Sequence, residues 1–110
     1  MTREEAIAEI IRRLVEFYDP ERIYLFGSAA RGDDGPDSDL DFCVVVRDDA
    51  VTPPLKPGGI YERLWDVPKA VDIFRMRQRE LERRRNWLVS IPAAVEREGR
   101  LLYARQGNQG

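Results

Sequence analysis

The chain has 110 residues, 43% of them hydrophobic, and a formal charge of −2. That length suits one small domain with one core, the apolar content excludes a disordered chain, and the near-neutral balance excludes a global field drawing in nucleic acid or anionic lipid. With no histidine and one cysteine, Cys43, a disulfide framework, a Cys/His zinc site and both Ser-His-Asp and Cys-His catalysis are excluded.

Thr2 and Glu5 form a T-x-x-E capping box, and Ile7, Ile10, Ile11 and Leu14 recur at helical spacing, so residues 3–18 are predicted as an amphipathic helix stopped by Asp19-Pro20. Ile23 to Phe26 reads as a short strand ending at Gly27, followed by a single helical turn at 29–31 and a Gly/Asp/Pro turn over 32–38. Leu40 to Val46 is the strongest strand, its unbroken apolar run from Phe42 being that of a strand buried on both faces. Residues 47–59 carry three prolines and two glycines and form a loop; 60–65 is a candidate short helix, 70–74 a strand, 77–86 and 90–98 helices, and 100–103 a closing strand. This order predicts an α+β domain over residues 1–105, a small mixed β-sheet with helices packed against it, and a frayed tail at 106–110. No apolar run approaches membrane-spanning length and no signal peptide opens the chain, so no membrane partner is expected and the cytoplasm is the default compartment.

The chemistry concentrates at three acids and one turn. Asp39 and Asp41 flank Leu40, so they share a face of their strand with Cα atoms roughly 6.6 Å apart, while Leu40 and Phe42 turn to the core. Carboxylates so spaced can converge on two metals about 3.5–4 Å apart. Asp72 lies between Val71 and Ile73 in another strand, a poor place for an aspartate, and joins the pair if the two strands are neighbours. Three clustered carboxylates repel unless a cation neutralises them, and oxygen-only ligands favour Mg²⁺, with Mn²⁺ as the substitute. Gly27-Ser28 offers a turn whose backbone can approach an anion; the Ser28 hydroxyl can donate to a phosphate, and Arg31 can offset charge on the leaving group. A lone D-x-D is usually a solvated strand end and a lone Gly-Ser usually a turn, so the argument rests on the combination.

The string Gly27-Ser28-Ala29-Ala30-Arg31-Gly32 through Ser38-Asp39-Leu40-Asp41, followed by a third strand aspartate, resembles the polymerase-β-like nucleotidyltransferase superfamily, and within it the minimal nucleotidyltransferases of the MntA-like antitoxin branch. The ending Glu96-Arg97-Glu98-Gly99-Arg100-Leu101-Leu102-Tyr103 is similar to theirs. The resemblance implies the polymerase-β-like nucleotidyltransferase fold and two Mg²⁺ ions. It implies that Asp39 and Asp41 bridge both metals, that Asp72 holds the catalytic one and helps activate the attacking hydroxyl, and that Gly27 and Ser28 grip the β- and γ-phosphates. It also implies in-line attack of a hydroxyl on the α-phosphate of a nucleoside triphosphate, with ATP as the expected substrate. The acceptor it implies is a tyrosine on a HEPN-domain ribonuclease toxin, silenced by AMP. The alternatives are a non-catalytic stoichiometric antitoxin and transfer to a small molecule or an RNA end.

Arg75, Arg77, Arg79, Arg83, Arg84 and Arg85 form a basic cluster whose simpler reading is a solvated helix face balanced by Glu80 and Glu82, so direct nucleic-acid binding is not expected. Trp65 and Trp87 read as core or edge packing, an exposed tryptophan being instead a sign of a protein interface. Cys43 reads as an inert core thiol.

Overall fold

The computed structural model describes residues 2–27, 39–52, 54–84 and 99–105. The turn at 29–31, the loop at 32–38, the helix at 90–98, Trp87, Arg85 and the tail at 106–110 lie outside the described residues. In chain order the described elements are α1 (Arg3–Tyr18), β1 (Arg22–Phe26), β2 (Leu40–Val46), a 3-10 turn (Tyr61–Arg63), β3 (Val71–Arg77), α2 (Gln78–Arg84) and β4 (Arg100–Ala104). The result is an α+β fold with a four-stranded mixed sheet in the order β3-β2-β1-β4. β1 pairs antiparallel with both β2 and β4, and β2 pairs parallel with β3.

Both halves of the predicted capping box form: Thr2 Oγ1 accepts from Glu5 N–H at 3.1 Å, and Glu5 Oε1 accepts from Thr2 N–H at 2.8 Å. α1 then buries Ala6, Ile10, Leu14, Phe17 and Tyr18 as one stripe. It ends at Asp19, whose backbone is left-handed (φ 48°), with Pro20 preventing continuation. The last turn of α1 has no basic residue of its own. Lys56 supplies one from the proline-rich loop, donating from Nζ to the carbonyls of Glu16 (2.7 Å) and Phe17 (3.0 Å).

The sheet separates two apolar clusters, as strand alternation requires. On the α1 face, Ile23, Leu25, Leu40, Phe42, Val44 and Val46 meet the helix stripe together with Ile60, Leu64 and Val67. On the other face, Phe26, Cys43, Val45 and Met76 pack with Leu81 of α2. β2 is thus covered on both sides, as its unbroken apolar text predicts, and Asp41 is its one position that is not buried. Burial pushes the Cys43 thiol up to about 12, with the charge of Glu80 adding to it, so this cysteine is an inert packing group.

Three expectations change. Residues 60–65 form only a single 3-10 turn, at 61–63. Trp65 does not pack: it is 82% exposed, because Leu64 and Val67 take the inward positions of that segment. The basic cluster is not one helix face either, since Arg75 and Arg77 belong to β3, which runs to residue 77 rather than 74. Arg77 instead ties down the loop after β2, donating to the carbonyls of Asp48 (2.7 Å) and Ala50 (3.0 Å). Asp48 Oδ1 accepts from Arg79 N–H at 2.9 Å, which satisfies a free donor in the first turn of α2.

Candidate active site

Topology delivers the acids to one end of the sheet. Parallel β2 and β3 begin at the same end, and antiparallel β1 finishes there. Asp41 is consequently the register partner of Asp72 on one side and of Phe26 on the other, with Gly27 next along the chain. Neighbouring strands lie about 4.8 Å apart, so the Asp41 and Asp72 carboxylates stand side by side on the face away from α1. Asp39 precedes β2 and is exposed; Leu40 N–H, bonded to Ala70 O at 2.9 Å, marks the point where pairing with the β3 segment begins.

The electrostatics follow from that placement. The carboxyl of Asp41 is held above its ordinary value of 3.8, first by burial, then by the charges of Asp72 and Asp39, and by a hydrogen bond with Asp72. Asp41 thus feels the charge of both other acids named from the sequence. Among the described residues no group of three His, Cys, Asp or Glu side chains is arranged to hold a metal ion by itself. A magnesium ion does not require one, because it binds through one or two carboxylates and completes its shell with water and substrate phosphates. The Asp41–Asp72 pair is such a partial, oxygen-only donor set.

Gly27 has a role that the local text does not reveal. Its backbone is left-handed (φ 77°), and a Cβ there would fall 2.6 Å from Asp41 Oδ2. Glycine serves twice: it permits the turn out of β1, and it leaves open the space beside the Asp41 carboxylate. Only the β1–β2 register reveals the second role, since the two residues are fourteen apart in sequence. Ser28 and Arg31, the expected phosphate contacts, lie outside the described residues.

Residues 5–98 match the nucleotidyltransferase domain family. No curated protein matches the chain. Among solved structures, a presumed nucleotidyltransferase from Sulfolobus solfataricus is similar in fold, with a TM-score of 0.55 and 24% identity over 92% of this chain and 79% of its own. A toxin-antitoxin structure with AMP-PNP is similar with a TM-score of 0.56 and 22% identity, over 96% of this chain and 76% of the other.

Proposed function

The chain belongs to the nucleotidyltransferase domain family, and from that premise we propose that it moves a nucleoside monophosphate, AMP from ATP, onto a hydroxyl of a partner protein and so acts as an antitoxin. The observation that carries this reading is the side-by-side placement of Asp41 and Asp72 across the parallel β2–β3 pair, with the Gly27 backbone opening space at Asp41 Oδ2. Asp41 and Asp72 would hold the divalent cation, joined by Asp39. Bound magnesium supplies charge neutralisation at the triphosphate oxygens and at the developing leaving group. The side chains do the positioning. Burial and then the neighbouring charges of Asp72 and Asp39 raise the affinity of Asp41 for a proton, an excess of negative charge that a cation would offset. Asp72, exposed at the start of β3, would hold the catalytic metal and help activate the attacking hydroxyl. Gly27 and Ser28 would grip the β- and γ-phosphates, and Arg31 would balance charge on the departing pyrophosphate.

The toxin-antitoxin neighbour with AMP-PNP supports adenine as the base and a toxin as the partner. We assign the acceptor as a tyrosine of a HEPN ribonuclease toxin, on the resemblance of the motif to the MntA-like branch, and place the reaction in the cytoplasm. Among the described residues no helix is long and apolar enough to cross a membrane.

The direct test mixes the protein with ATP, magnesium and the product of the adjacent open reading frame, followed by intact-mass analysis. One AMP on the partner, absent with EDTA, is the expected result. An unmodified partner that is nevertheless neutralised means a stoichiometric binder, and Asp41→Ala then keeps its neutralising effect. Pyrophosphate release with a small alcohol or an RNA end, and none with the partner, moves the acceptor to another class.

A further inference from the structure

A cavity of about 560 Å³ opens on the α1 face of the sheet, on the opposite side from the carboxylates. Its walls include Tyr18, Lys56, the Gly58–Gly59 backbone, Tyr61 and Arg75. None of the described residues lining it is acidic. The Glu62 carboxylate lies beside Gly58, where an added Cβ would fall 2.7 Å from Glu62 Oε2.

The polar side chains of these walls are rich in donors. Tyr61 Oη accepts from the Ile73 N–H at 3.0 Å, so the phenol keeps its own proton to donate. Burial holds the Tyr18 phenol above its ordinary value of 10, against the opposing pull of the Arg75 charge, so Tyr18 keeps its proton as well. Lys56 spends two of its three N–H groups on the α1 carbonyls, which also neutralises the negative end of that helix. Its third N–H is uncommitted among these bonds. Arg75 is exposed and lines the cavity with a guanidinium that carries five N–H donors. The cavity thus offers an ammonium, a guanidinium and two phenol protons, with Phe17, Ile60 and Ile73 as its apolar floor.

A pocket lined by two cationic side chains, two phenols and no described carboxylate selects a ligand rich in acceptors and negatively charged, and its size falls in the range of about 300–1,000 Å³ used for small molecules. We infer that this cavity binds a small phosphate-bearing anion, at a site separate from the acid pair and independent of divalent metal. A mononucleotide and inorganic pyrophosphate share the required chemistry.

The test is isothermal titration in EDTA at constant ionic strength, with pyrophosphate and AMP as separate probes, on the wild type and on Asp41→Asn, Lys56→Gln and Arg75→Gln. Saturable binding of at least one probe is expected, kept in Asp41→Asn and weakened about tenfold or more by Arg75→Gln through loss of a charged hydrogen bond. AMP binding without pyrophosphate binding identifies a nucleotide site; comparable binding of both identifies a phosphate site. Lys56→Gln should weaken binding as much. If it unfolds the end of α1, as circular dichroism would show, the solvent-exposed Arg75 variant decides alone. Absence of binding at millimolar probe, indifference to Arg75→Gln, or loss in Asp41→Asn overturns the inference. Because the assay contains no metal and no acceptor, its failure leaves the transfer reaction standing, and the reverse also holds.

Discussion

Carboxylates in two regions of this molecule meet opposite surroundings. On the outer face of α1, Glu9 accepts from Arg12 Nε (3.2 Å) and Arg13 Nε (2.8 Å), and Arg13 also pairs with Asp66 beyond the 3-10 turn. Arg12 and then Arg13 lower Glu9 from its ordinary 4.5 to about 2, and Arg13 likewise lowers Asp66. At the end of the sheet, Asp41 faces two further acids, is partly buried, and is raised. The first region pairs every acid it uses and stabilises the fold. The second buries one acid in part and sets it beside others of like charge, which costs stability.

The largest expected effect is on transfer. Asp41→Asn should lower the rate by about 10²–10³-fold or more, as loss of a preorganised charged group does, measured by AMP incorporation into the partner. The same variant should melt at a higher temperature than the wild type at pH 7. The sign follows from linkage: a raised folded pKa means that the folded state binds more protons, so ionised Asp41 lowers stability as pH rises above 3.8 toward its folded value. The advantage of the asparagine should therefore shrink in acid. An unchanged or lower melting temperature at pH 7 would erase the contrast between the two regions.

Gly27→Ala comes next. The left-handed backbone should cost about 1–3 kcal/mol, and the new methyl meets Asp41 Oδ2, so denaturant melts and the transfer assay should both register a loss. Arg77→Met should cost about 1.5–3 kcal/mol through the lost charged bonds to the loop carbonyls, while transfer by the folded fraction is preserved. The smallest effect belongs to the α1 face. Arg13→Gln should lower stability slightly at neutral pH and less in high salt. Glu9 is held below its ordinary value, so its contribution is complete above about 4.5 and vanishes as pH falls toward about 2, and lowered Asp66 likewise loses its contribution in acid; the wild-type and Arg13→Gln melting curves should converge as pH falls.

Elements whose causes lie within a few residues were legible in the sequence. The α1 capping box, the Asp19-Pro20 stop and the doubly covered β2 are all set by local spacing and burial pattern. The sequence places Trp65 in the packing because tryptophan usually packs, and only the competition of Leu64 and Val67 for the inward positions turns it to solvent. The sequence puts Arg77 in a helix because charge pattern alone does not show that its partners are carbonyls nearly thirty residues earlier.

The candidate site divides along the same line. Residue types and the i, i+2 spacing of Asp39 and Asp41 follow from the sequence, because alternation in a strand is a local property of the backbone. The parallel pairing that sets Asp72 beside Asp41, and the approach of Gly27 to that carboxylate, depend on strand register, which is decided by how the two apolar faces of the sheet are covered. Composition and spacing determined which chemistry the chain can carry; tertiary packing decided that its acids face one another, since only burial of both sheet faces holds like charges together at that distance.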